Sequence, residues 1–192
     1  TRELEARRSF ARQIEQFWRS PPRYPRLEEL RATATFIGDM PMLSTGFERV
    51  TRLNLTGNAN ITSALRFVEC FPNLAKLKMN GFELEPLALG EIKLPRLTDL
   101  ELNNCGVVMT TENQAALLSL DGLESLDLSN NPLGTFPDLN LLPDLIDLDL
   151  SNCGLTVVPE GLNSHPELRT AVLAGNRITQ LPDELFDLPA ER

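Results

Sequence analysis

Five carboxylates stand at spacings that could build one surface: Asp99 and Glu101, then Asp127, then Asp147 and Asp149. Residues two apart on an extended chain point to the same face, so Asp99 joins Glu101 and Asp147 joins Asp149. Such a row can attract a basic protein segment or a divalent cation. Calcium-loop spacing is absent, which leaves the basic segment beside a plainer alternative in which exposed strand positions simply carry solvated polar groups. The remaining candidates for chemistry are Cys70, Cys105, Cys153 and the single histidine, His165. None of the cysteines has an adjacent His or a basic setting that would activate a thiolate. His165 lies in the turn NSHPEL, so a catalytic triad would require a nucleophile from elsewhere in the fold. No phosphate loop and no zinc-ligand spacing occur. The expectation is a chain with no catalytic group, no cofactor and no metal site.

The elements that position the carboxylates are set by a repeat. Leu123, Leu126, Leu128, Asn131 and Leu133 mark positions 1, 4, 6, 9 and 11 of a template in LESLDLSNNPL. It recurs as Leu145, Leu148, Leu150, Cys153, Leu155 and as Leu168, Ala171, Leu173, Asn176, Ile178. Upstream copies are Leu97, Leu100, Leu102, Cys105, Val107 and Leu74, Leu77, Met79, Phe82, Leu84, then a looser one from Val50 and a decayed one from Leu27. Seven units stay in phase at steps of 22 to 26 residues.

These residues resemble the leucine-rich-repeat family over residues 25 to 189, and the resemblance specifies fold far more than function. It implies an α/β solenoid: a curved right-handed coil with a parallel sheet on its concave face and short helices or 3₁₀ turns on its convex face. The physics of one unit agrees. Positions 4 and 6 point inward from a strand, and a buried Asn at position 9 can hydrogen-bond the backbone of a neighbouring coil. Asn58, Asn131 and Asn176 are expected to form that ladder, with Cys105 and Cys153 filling the same slot as small buried residues. One unit cannot bury its own apolar stripe, so stability comes from stacking.

On the convex side, TTENQAALLSL reads as a helix with Thr111 and Gln114 as a capping box and Gly122 as its stop. Residues 63 to 71 read likewise. Phe136-Pro137, Val158-Pro159 and Leu181-Pro182 replace helix with extended or 3₁₀ turns, because proline removes a donor and fixes φ.

Residues 1 to 24 form a separate unit, and residues 25 to 192 form the repeat domain. Leu4, Phe10, Ile14, Phe17 and Trp18 fall on one face of a helix in TRELEARRSFARQIEQFWRS, with Arg7, Arg8, Arg12 and Glu15 opposite. The competing readings are a cap over the first coil, which would otherwise leave its core in water, and a surface for a membrane or partner. The first is favoured, with Trp18 as the plug and the Pro-rich SPPRYP as the turn into the first coil. At the far end the array decays before Glu191, and Leu185, Phe186 and Leu188 leave an apolar fringe that a continuing chain would bury.

Composition bounds the rest. The 192 residues are 42% apolar, and no run is long enough to cross a bilayer. An odd number of cysteines, without the paired flanking clusters of extracellular relatives, suits a reducing compartment. The sequons at Asn54 and Asn60 are then coincidental. The expected location is the cytoplasm, or a host cytosol for a protein secreted by bacteria. As a fragment, the chain is expected to be monomeric.

Net charge is −9 overall, but residues 1 to 96 carry +4 and residues 97 to 192 carry −13. Template positions 3 and 5 flank the buried strand residues and face the concave side. They read Arg52 and Asn54; Lys76 and Lys78; Asp99 and Glu101; Ser125 and Asp127; Asp147 and Asp149; Thr170 and Val172. The face thus runs from basic to acidic to neutral. The sequence supports a module that recognises a protein partner presenting a basic segment, with Arg52, Lys76, Lys78, Asp99, Glu101, Asp127, Asp147 and Asp149 as the contact residues. Nucleic acid is disfavoured, since most of the solenoid would repel phosphate.

The alternative follows from a second resemblance, to the repeat domains of secreted bacterial effectors with a C-terminal novel-type ubiquitin ligase domain. That resemblance rests on the N-terminal helix and the Leu-Pro turns. It implies a substrate-recognition arm. The ligase motif Cys-x-Asp is absent, since Cys70, Cys105 and Cys153 are followed two residues later by Pro72, Val107 and Leu155.

Overall fold

A computed structural model describes residues 2–19, 29–33, 40, 43, 46–61, 63–84 and 93–183. Each repeat contributes one strand, and the strands fall where the template places them: β1 (Glu29–Thr33), β2 (Arg52–Thr56), β3 (Lys76–Asn80), β4 (Asp99–Asn103), β5 (Ser125–Asp127), β6 (Asp147–Asp149) and β7 (Thr170–Val172). They form one parallel sheet in sequence order, β1 to β7. Register follows the template position by position, so that Leu53, Leu77, Leu100, Leu126 and Leu148 stack in one inward row. The result is the open sheet of a leucine-rich-repeat solenoid.

The core is one continuous stack of the template's apolar positions. Leu55, Met79, Leu102 and Leu150 are fully buried, as are Cys105 and Cys153. Each coil supplies half of a layer, and its neighbour completes the layer. The last coil lacks that completion among the described residues: Ala171 sits in the inward row yet is exposed. Pairs of Phe rings thicken the N-terminal half, with Phe67 and Phe71 edge-on at 5.0 Å and Phe47 beside Phe71 at 5.6 Å.

Convex segments follow the length of their units. Helix α2 (Ala64–Val68) and helix α3 (Thr111–Leu118) occupy the longer units, and a 3₁₀ turn at Leu139–Leu141 follows Pro137. The start of α3 differs from expectation. Thr110, not Thr111, is the cap, its Oγ1 accepting the Asn113 N–H at 3.2 Å. The reason lies in Asn113, whose buried side chain donates Nδ2 to the Val108 carbonyl at 2.8 Å and thereby fixes the helix phase. Ser119, rather than Gly122, ends the helix.

Helix α1 (Arg2–Arg19) precedes the sheet. Phe10 is buried, its ring 5.8 Å from that of Phe67 on α2, and Ile14 packs against the core. Leu4 departs from the expected apolar face and stands 48% exposed, one turn and a half before the anchoring Phe10. The side chains of Phe17 and Trp18, the SPPRYP turn, and Leu185, Phe186, Leu188 and Glu191 lie outside the described residues.

Candidate functional site

The turn leaving each strand determines how the sheet face is presented. Position 8 makes that turn in the left-handed region: Gly81 (φ +77°), Asn104 (+51°), Asn130 (+59°), Asn152 (+55°) and Gly175 (+72°). Asn and Gly tolerate this conformation where other residues are strained. The repeat of Asn or Gly at position 8 was readable in the sequence.

Position 9 then locks adjacent coils together. The amide of Asn131 accepts the N–H groups of Cys105 and Val107 at 2.8 and 3.1 Å, and donates to the carbonyls of Leu102 and Leu128 at 2.6 and 2.7 Å. Asn176 repeats the arrangement on Cys153, Leu155, Leu150 and Leu173. Among the described residues Asn58 makes no such contacts: its Oδ1 accepts the N–H of Asn60 within its own turn, and residues 34–39 of the coil before it lie outside the described residues. In the following unit the slot is taken by Phe82, packed so closely over Gly57 that a Cβ there would lie 2.4 Å from the ring.

The cysteines behave as substitutes for Asn. Cys153 Sγ donates to the Leu128 carbonyl at 3.2 Å, and Cys105 Sγ to the Asn103 carbonyl at 3.3 Å. Desolvation by burial pushes both thiols up to about 11. Cys70 is also raised, by partial burial first, and sits 3.9 Å from the Leu43 carbonyl. All three thiols are free.

His165 is buried and fully engaged. Its Nδ1 accepts the N–H groups of Glu167 and Leu168 at 3.3 and 3.0 Å, which leaves Nε2–H to donate to the Leu142 carbonyl at 3.0 Å. The ring ties one convex turn to the preceding coil. Among the described residues no group of three His, Cys, Asp or Glu side chains is placed to hold a metal ion, and no helix is long and apolar enough to cross a membrane.

The sheet carries the charges of template positions 3 and 5 in register, with pairings that spacing alone did not show. Lys76 faces Asp99 and Lys78 faces Glu101 across β3 and β4. Lys76 Nζ lies 2.5 Å from Asp99 Oδ1, while Asp99 Oδ2 accepts the Thr98 hydroxyl at 2.7 Å. Lys78 Nζ contacts Glu101 Oε2. On β1, Arg31 pairs with Glu29 at 3.0 Å. Among the described residues no ion pair reaches Asp127, Asp147 or Asp149.

Those three carboxylates are close together but differently held. Asp127 and Asp149 are register partners on β5 and β6, and Asp147 lies two residues from Asp149 on the same strand. Oδ1 of Asp127 accepts the Ser129 N–H, and Oδ1 of Asp149 accepts the Ser151 N–H, each at 2.8 Å. One oxygen of each therefore serves the strand-ending turn, and the other is left for solvent or a partner. Beside Asp149 the next rung is Val172, 37% exposed on β7. Arg52 stands at the opposite, basic end on β2. Between these ends runs a side-chain chain in which Asn80 donates to Asn103 at 3.1 Å and Asn103 to Ser129 at 2.7 Å.

Comparison with known proteins gives the same fold. The family model described as Leucine Rich Repeat matches residues 122–142 and 144–165. An internalin from Listeria monocytogenes is similar with 25% identity and a TM-score of 0.51, over 79% of this chain and 45% of that chain. A leucine-rich-repeat protein from Leptospira interrogans is 21% identical with a TM-score of 0.42, over 88% of this chain and 55% of the other. A leucine-rich-repeat ectodomain of a receptor kinase from Arabidopsis thaliana is 21% identical with a TM-score of 0.43, over 72% and 78%. No curated protein matches the sequence. The chain spans less than half the length of the internalin. With its seven strands in template register and two units matched by the family model, the chain carries leucine-rich repeats wound into a leucine-rich-repeat solenoid.

Proposed function

We propose that the chain is a protein-recognition module whose concave sheet receives a basic segment of its partner. Leucine-rich repeats generally mediate protein–protein contacts, and stacked repeats create extended concave surfaces suited to them. The observation that carries the reading is the charge of Asp127, Asp147 and Asp149 on β5 and β6, which meets no cation among the described residues, while Asp127 and Asp149 each commit only one oxygen to the backbone. Asp99 and Glu101 contribute through their pairs with Lys76 and Lys78, and Arg52 marks the basic end that orients the partner. Complementary charge of this kind speeds association and selects partners more than it tightens binding.

A pulldown with the wild type and with Asp127, Asp147 and Asp149 changed to Lys tests it. Loss of partners from the variant at low and at moderate salt is the expected result. The same partners on both proteins would sink the reading.

Helix α1 closes the N-terminal end of the stack in this proposal, supported by the burial of Phe10 against Phe67. Three free thiols support a reducing compartment, the cytoplasm or a host cytosol reached by bacterial secretion. In that second setting the module is the substrate-recognition arm of a larger effector, a reading favoured by α1 and by the Pro-containing turns. Ubiquitin ligase activity would then belong to residues outside these 192, and a ubiquitination assay of the full-length protein decides the matter.

A further inference from the structure

We propose that Lys76 and Lys78 are specificity-setting residues that occupy Asp99 and Glu101 as built-in competitors and so confine a basic partner to β5 and β6. The inference rests on the concave-face reading above and adds where on that face the partner is admitted.

Two adjacent strands carry the device. Lys76 and Asp99 are register partners, as are Lys78 and Glu101, so each ammonium reaches a carboxylate on the next coil without leaving the sheet face. The pairs are open to solvent: the side chains of Lys76 and Asp99 are 55% and 27% exposed, those of Lys78 and Glu101 47% and 38%. Exposed pairs add little to stability and exchange freely. Their effect on binding is larger, because a lysine held on the neighbouring strand competes at an effective concentration in the millimolar range or above. A partner's cation arriving at Asp99 or Glu101 must displace that lysine and then sit beside the freed ammonium.

At Asp127, Asp147 and Asp149 no such competitor stands among the described residues. Glu101, Asp127 and Asp149 occupy one row across three strands, yet only the first has a lysine opposite. The row is thus masked at one end and open at the other. A basic segment is turned away from β3 and β4 and accepted over β5 and β6.

Fluorescence anisotropy with a labelled hexa-arginine peptide tests this, at low and at physiological salt. The variant Lys76→Gln with Lys78→Gln is compared with Arg66→Gln with Lys93→Gln, which removes the same charge from α2 and from the turn before β4. The first should bind about fivefold more tightly than the second, as expected for two weak competing pairs. Adding Asp99→Asn and Glu101→Gln to the first variant should abolish that gain. Equal gains in the two charge-matched variants would overturn the proposal, since long-range charge alone would then explain the change. Peptide binding to the wild type that is insensitive to Asp127→Asn with Asp149→Asn would instead overturn the concave-face reading itself. Unchanged melting of each variant establishes that folding is not the variable.

Discussion

Asn176 and Cys153 are joined across a coil boundary: the Asn176 amide oxygen accepts the Cys153 N–H at 3.0 Å, and the Cys153 thiol in turn donates to the Leu128 carbonyl one coil further back, at 3.2 Å. The solenoid therefore has an internal hydrogen-bonded thread in which amide and thiol alternate along successive coils from Cys105 to Asn176. Every member is at least half-buried, so an unmade bond costs the full desolvation of its partner groups. The thread holds the turns that follow Asp127 and Asp149, and through them the geometry of the acidic strip.

Removing one amide from this thread strands several backbone groups at once. Asn131→Ala leaves the N–H groups of Cys105 and Val107 and the carbonyl of Leu102 without their partner, and should lower stability by about 3 kcal/mol. Asn58→Ala, which loses a bond only within its own exposed turn, should cost under about 1 kcal/mol. Urea denaturation of the two variants makes the comparison. Similar losses would show that the ladder is not selective for the buried slot.

The thiols give an alkaline signature. Cys105 and Cys153 are raised from 9.0 to about 11 by burial, so below about pH 9 both folded and unfolded chains hold the protons and stability is complete. Between about 9 and 11 the unfolded chain loses its thiol protons while the folded one keeps them. Stability then falls with rising pH, by roughly 3 kcal/mol per thiol at most. Urea midpoints measured across this window should decline more steeply for the wild type than for Cys105→Ala with Cys153→Ala. Alkylation at pH 8 should likewise modify neither thiol until the chain is unfolded.

Position 8 offers a test of backbone conformation. Asn152 stands at φ +55°, and Asn152→Gly should change stability by less than about 1 kcal/mol because glycine accepts that geometry without strain. Gly81→Ala should cost about 2 kcal/mol or more. It meets both a φ of +77° and a Cβ position 2.8 Å from the Gly57 carbonyl oxygen, a backbone atom that cannot swing aside. Thermal melts of the two proteins rank them directly.

The strands were legible because a strict inward pair at positions 4 and 6 has one solution: β1 to β4 span both positions even where Ala32 or Met79 replaces leucine, and the shorter β5 to β7 are centred on position 4. Features that depend on a neighbour in space were harder to read. The lysine–carboxylate pairs required setting Lys76 beside Asp99 across a 23-residue step, whereas each row taken alone reads as a block of one sign. Thr110 and Thr111 are equally good caps by type, and only the buried amide of Asn113 chooses between them. The turn at His165 was legible but its burial was not, because its three partners are all backbone groups, invisible to any side-chain motif.

The role of α1 separates two of its own apolar residues. Phe10 is 5% exposed and touches Phe67, whereas Leu4 is 48% exposed. If α1 closes the end of the stack, Phe10→Ala opens a gap over the Phe67 ring and should cost about 3 kcal/mol, while Leu4→Ala should cost under about 0.5 kcal/mol. Deleting residues 1–19 should then lower the melting temperature and broaden the transition, because the first coils lose their cover while the later coils keep their stacked neighbours. Hydrogen exchange reads the same event locally, with protection lost first in β2 and α2. An unchanged melt after the deletion would mean that the buried ring of Phe10 contributes nothing to the stack, and the helix would have to be assigned to a partner instead.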